Sequence, residues 1–130
     1  MWERRIRLWS GIIITLFVVP HLVNHALGLI SLDAMEGMRK GMRVIWSGAP
    51  GGPILMLSFL AHFLLSLHAL FKRSTFRMPV WEAVQIGLGI IIFPLILTHV
   101  AGTEIASDML KFDPTYEYVI AALWVTPLCL

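Results

Sequence analysis

Residues 8–30 read LWSGIIITLFVVPHLVNHALGLI, and this stretch decides the fold. It holds no Asp, Glu, Lys or Arg, and it has the roughly 20 residues a helix needs to cross the hydrocarbon core of a bilayer. Its second half nevertheless carries Pro20, His21, Asn24 and His25. A cleaved secretory signal has a shorter apolar core without such interruptions, so the stretch reads as a retained membrane span. An imidazole in hydrocarbon is unfavourable unless it is bonded, so ionisable residues inside a span point to function.

Two further runs, Pro53–Phe71 and Val80–Val100, are long and apolar enough to cross, and a fourth, Tyr118–Leu130, is too short to do so. The 130 residues are 58% hydrophobic and only 14% charged, with a mean hydropathy of +0.80. A soluble domain carries about 25% charged residues. The expected fold is therefore all-α: an integral membrane helical bundle of three full transmembrane helices plus a truncated fourth. Residues 1–130 are expected to form a single membrane domain, part of a longer protein.

Between the first two runs, Leu32, Met35, Met38, Met42, Val44 and Ile45 recur at near-helical spacing among Asp33, Glu36, Arg39, Lys40 and Arg43. That pattern predicts a short amphipathic helix on the membrane surface. Ala49-Pro50-Gly51-Gly52-Pro53 reads as a turn that starts the next helix, with Pro53 in its first turn. Asp113-Pro114 marks the start of the fourth run. Trp2, Trp9, Trp46, Trp81 and Trp124 lie mostly near run boundaries and read as interfacial anchors.

Loop charges are unequal. The N-terminus and the loop after the second run carry Arg4, Arg5, Arg7, Lys72, Arg73 and Arg77 against Glu3 and Glu82. The other loops carry Arg39, Lys40, Arg43 and Lys111 against Asp33, Glu36, Glu104, Asp108, Asp113 and Glu117. Lys and Arg in short loops favour the cytoplasmic side, so the N-terminus is expected there. The net charge of +2 is too small and too segregated for nucleic-acid binding. The one cysteine, Cys129, excludes an internal disulfide and any cysteine-based zinc or iron–sulfur site.

All five histidines lie in the apolar runs: His21, His25, His62, His68 and His99. Imidazole nitrogen is the common protein ligand of haem iron, and histidines on separate membrane helices are what a b-type cytochrome needs. Measured at about 1.5 Å per residue, His21 and His25 lie about 20 and 25 Å along the first run from Leu8, and His99 lies about 27 Å along the third from Trp81. His99 therefore groups with His21 or His25 at an outer site, and His68, four residues before Lys72, belongs to an inner one. His21 and His25 share one helix face. His62 and His68 point about 120° apart and cannot easily serve one ligand. Gly11, Gly28, Gly87 and Gly89 could leave room for a flat macrocycle, although small residues also let membrane helices pack closely without a cofactor.

The segment Gly11 to His21, followed by Leu22-Val23-Asn24-His25, resembles the first helix of the dihaem cytochrome b subunits of succinate:quinone and fumarate:quinone oxidoreductases. Leu67-His68-Ala69-Leu70 and Leu97-Thr98-His99-Val100 resemble later ligand segments of that family. The resemblance implies that His21 and His99 bind one haem b, and that His68 binds another with a histidine on a later helix. A longer resemblance runs through Arg4-Arg5-Ile6-Arg7-Leu8-Trp9-Ser10-Gly11, Asn24-His25-Ala26-Leu27-Gly28-Leu29, Ser31-Leu32-Asp33-Ala34-Met35-Glu36 and His99-Val100-Ala101-Gly102-Thr103. These segments are similar to the N-terminal membrane anchor of certain bacterial class III adenylate cyclases, which itself resembles the dihaem cytochromes.

That likeness implies that residues 1–130 are the first half of a longer haem-binding sensory anchor in the bacterial inner membrane, coupling quinone or redox state to a cytoplasmic cyclase domain. Separately, two copies could pair as a homodimer and supply each other's missing surface. No catalytic residue is read in this chain. Two competing functions follow from the same residues: a cytochrome b subunit carrying electrons between dehydrogenase subunits and quinone, and an apo anchor without cofactor.

Overall fold

The computed structural model of the chain describes residues 2–75, 77–113 and 115–118. It is helical throughout its regular structure, with no strand among the described residues. Contacts divide it into two compact units, Met1–Ser74 and Thr75–Leu130. Three helices are long and apolar enough to cross a membrane: Trp2–Leu27, Gly51–Phe71 and Val80–Leu110.

The first unit contains α1 (Trp2–Leu27), α2 (Leu32–Trp46) and α3 (Gly51–Phe71). Helix α1 starts six residues before the apolar run and stops three short of its end, because helical geometry is not confined to hydrocarbon. Glu3 in its first turn suits the positive helix end, and Arg4, Arg5 and Arg7 are ordinary helix formers. At the other end, Gly28–Ile30 form a turn, and Ser31 caps α2 by accepting a hydrogen bond from the Ala34 amide at 3.1 Å. Pro20 lies inside α1, where it removes one backbone donor without ending the helix.

Helix α2 coincides with the amphipathic stretch expected from the sequence, but only part of its apolar set faces inward. Met35 is buried against Gly28, while Leu32, Val44 and Ile45 face outward. The glycine after Pro50 is required by a close approach: a Cβ on Gly51 would lie 1.8 Å from the Ile45 carbonyl oxygen.

Helices α1 and α3 pack against each other, and α2 packs on α1. Their shared interior is unlike that of a water-soluble bundle. Met35 is the one buried hydrophobic residue among those described, whereas Ser10, Asn24 and Ser58 are buried and Leu16, Val19, Leu22 and Leu57 are exposed. Small polar residues inside and large apolar residues outside are what packing in lipid selects, since hydrocarbon gives no drive to hide Leu or Val.

In the second unit, α4 (Val80–Val100) begins directly after Pro79, as the sequence predicts. It does not end at the predicted boundary. A π turn over Ala101–Ile105 leads into α5 (Ala106–Leu110), so residues expected in a loop, including Glu104 and Asp108, are helical. No glycine–proline break occurs there. The Thr103 hydroxyl donates to the His99 carbonyl at 2.8 Å, and the Tyr118 hydroxyl donates to the Gly102 carbonyl at 3.1 Å, which ties the π turn down. The helix stops at Lys111, whose φ of 56° is left-handed. The apolar stretch 119–130, with Trp124 and Cys129, and Pro114 lie outside the described residues.

Candidate functional site

The imidazoles of the first unit sit at three places along α1 and α3. The first lies near the C-terminal end of α1. His21 and His25, one turn apart, bring their Nε2 atoms to 3.3 Å, with ring planes at 87° and centroids 4.7 Å apart. Phe17, one turn earlier, stacks on His21 with centroids 5.2 Å apart and planes at 21°. Trp46, at the end of α2, meets Phe17 edge-on at 5.6 Å. The i, i+4 spacing that predicted a shared histidine face also places Phe17 on it. Trp46, read from the sequence as an interfacial anchor, is thus also an aromatic neighbour of the face that carries the pair.

His62 is the second place. Its Nδ1 lies 3.0 Å from the Arg7 carbonyl oxygen and 3.3 Å from Ser10 Oγ. A carbonyl can only accept, so Nδ1 carries the proton and donates, and the lone pair is left on Nε2. The Ser10 hydroxyl donates to the same carbonyl at 3.1 Å. The ring lies over Gly11, where an added Cβ would stand 3.1 Å from His62 Cε1.

Gly11 therefore has a different use from the one expected of it. The gap its missing side chain leaves is filled by the imidazole of His62, and the gap at Gly28 is filled by the thioether of Met35. Gly87 and Gly89 do face open space, with nothing within 4 Å of a Cβ built there.

The third place is the opposite end of the unit. His68, in the last turn of α3, has Nε2 3.7 Å from Glu3 Oε1, and Lys72 Nζ reaches the same oxygen at 3.2 Å. Because the end of α3 meets the start of α1, the two helices run antiparallel. His21 lies eighteen residues beyond Glu3, so the His68 and His21 levels are about 27 Å apart at 1.5 Å per residue.

His99 lies in the second unit, in the last turn of α4 before the π turn, and is half-buried. Thr98 Oγ1 donates to the Leu95 carbonyl at 2.9 Å, the ordinary role of a membrane-helix threonine.

On α2, two N–H groups of Arg39 donate to the Glu36 carboxylate, one of them at 2.8 Å. This contact holds the Glu36 carboxyl below its ordinary value. Among the described residues, no three His, Cys, Asp or Glu side chains converge as a metal cage. Two-point donor sets such as axial haem ligands, or a pair of imidazoles, are the metal chemistry these positions could support. Comparison with family models, curated proteins and solved structures found no match.

Proposed function

We propose that the chain is a transmembrane haem b-binding sensory anchor, with its N-terminus in the cytoplasm of a bacterium and an output domain of the adenylate cyclase type on that side. The observation that carries this reading is the distribution of imidazoles: His21 and His25 at one end of α1, and His68 about 27 Å away at the other. Redox groups stacked across a bilayer need ligands at two such levels. The donor set fits haem, since imidazole is its common axial ligand, and a Cβ built at Gly87 or Gly89 would meet nothing within 4 Å.

Within this reading His21 and His99 hold the outer iron, His25 stands beside it, and His68 serves the inner level. His62 fastens α1 to α3. When bound, the haem supplies a one-electron change of charge, which in a low-dielectric interior acts strongly on helix packing. The chain's own residues carry that change toward the cytoplasmic side, where Glu3, His68 and Lys72 join the first turn of α1 to the end of α3.

A second reading, an apo anchor, is favoured by a specific observation. His62 is bonded to backbone, and His21 and His25 lie within contact of one another, so these imidazoles have polar neighbours without iron.

A reduced-minus-oxidised absorption spectrum of the protein in detergent, with a haem-to-protein ratio, separates the two readings. The haem reading expects a bis-histidine b-type spectrum that His21→Ala or His99→Ala each abolishes and His62→Ala retains. No b-type absorption after reconstitution with haem would leave the apo anchor. Loss of the spectrum in His25→Ala with retention in His21→Ala would transfer the ligand role to His25.

A further inference from the structure

The contact between His21 and His25 has a geometry of its own. The two Nε2 atoms are 3.3 Å apart, and the ring centroids only 4.7 Å. Without an ion, one ring nitrogen donates to the other at this separation. The rings stand at an angle, edge to face. A tetrahedral zinc ion binds imidazole nitrogen at about 2.0–2.1 Å, and two such nitrogens on one ion are about 3.3 Å apart. The nitrogens are already at the separation that a single ion would impose.

The position suits such an ion. His25 is exposed and lies in the last turn of α1, and His21 lies one turn earlier. The helix backbone fixes both Cβ atoms, so little ordering remains on binding. Phe17 backs the His21 ring and is itself met by Trp46 of α2, which limits the rotamers of that ligand. Imidazole favours zinc and its first-row neighbours over magnesium or calcium.

We propose that His21 and His25 form a two-imidazole site for a divalent cation of the zinc class, reached from the aqueous face at which α1 ends, with water completing the coordination. The site uses one of the residues assigned above to haem, but its existence does not depend on that assignment. Each imidazole binds through a lone pair on Nε2, with Nδ1 carrying the proton. Occupation clips together the turn of α1 that follows Pro20, and it holds the His21 nitrogen on the ion.

The test uses Co2+ as a spectroscopic substitute for Zn2+, titrated into the protein in detergent without haem. A tetrahedral ligand-field absorption should grow to one equivalent and be displaced by Zn2+. His21→Gln and His25→Gln should each weaken binding at least tenfold, with helicity by circular dichroism unchanged. His25→Cys, which keeps a ligand atom at the position, should retain the absorption with added thiolate character. His62→Gln, His68→Gln and His99→Gln should leave it as in the parent. Absence of the band in the parent would overturn the proposal, as would its survival in His25→Gln, its loss in His25→Cys or its loss in His99→Gln. Because haem is excluded, failure here leaves the haem spectrum to be judged separately, and failure of the haem reading leaves this titration intact.

Discussion

The contact between Gly11 and His62 makes a quantitative prediction about how α1 and α3 are held together. His62→Ala removes the Nδ1–H bond to the Arg7 carbonyl and the ring that fills the space over Gly11. Side-chain hydrogen bonds between membrane helices average about 0.6 kcal/mol and reach about 1.7 kcal/mol. With the lost packing added, His62→Ala should destabilise the first unit by about 1–2 kcal/mol. Gly11→Ala involves two opposed effects. Alanine is better than glycine in a helix by about 1 kcal/mol. The new methyl, however, stands 3.1 Å from His62 Cε1 and 3.3 Å from Nδ1. The ring cannot retreat without stretching its 3.0 Å bond to Arg7, so overpacking of about 1–3 kcal/mol applies. In the parent, Gly11→Ala should therefore be neutral to destabilising.

In a His62→Ala background the obstruction is gone and only the helix preference remains, so Gly11→Ala should now stabilise. The double-mutant cycle should show a coupling of about 1–3 kcal/mol, the size of the relieved overpacking. Reversible unfolding of the detergent-solubilised protein in mixed micelles, followed by circular dichroism, measures all four corners. Arg7→Ala serves as a control, since the acceptor is backbone and survives the change. Additivity within about 0.5 kcal/mol would refute the argument that His62 occupies the Gly11 gap.

Other perturbations test other joints of the fold. Gly51→Ala should cost about 2 kcal/mol or more, measured in the same unfolding assay, because its Cβ would fall 1.8 Å from the Ile45 carbonyl oxygen and backbone must move. A cysteine at the exposed Ser74 should react with an impermeant maleimide only from the cytoplasmic side, as the Lys and Arg bias of that loop demands, and labelling only from outside would reverse the topology. Glu36 should make α2 acid-sensitive. Its carboxyl is held below the ordinary 4.5 mainly by the hydrogen bonds from Arg39, so its contribution is present above 4.5 and lost as pH falls through the lowered folded value. Glu36→Gln should flatten that acid limb in a hydrogen-exchange measurement of the α2 amides.

How much of this was legible in the sequence differs from element to element, for physical reasons. The apolar runs gave the three long helices because hydropathy reports the membrane requirement directly. The same signal missed helix ends that lie beyond hydrocarbon. Helix α1 starts at Trp2 among arginines, and the α4 helix continues through the π turn to Leu110 past Glu104. Charge ends an apolar run but does not end a helix, whereas Pro79 and Ser31, which stand at the starts of α4 and α2, do mark boundaries. The i, i+4 spacing of His21 and His25 announced a shared face. That their nitrogens come within 3.3 Å depends on rotamers, which spacing leaves open.

His62 shows the deeper limit. Its partner is the carbonyl of Arg7, a group every residue possesses, so no residue type fifty-five positions away could signal the bond. Gly11 could be read as a gap, but a gap has no label for what fills it. The two facts explain each other once α1 and α3 are antiparallel. Glycine at 11 lets an imidazole reach backbone, and the imidazole makes a polar tie between surfaces that hydrocarbon gives no reason to join. Three histidines of the first unit thus fall into two kinds. His62 is bonded across the helix interface to backbone, and its loss should be felt as stability. His21 and His25 meet side chain to side chain near a helix end, and their loss should be felt first in what the protein binds.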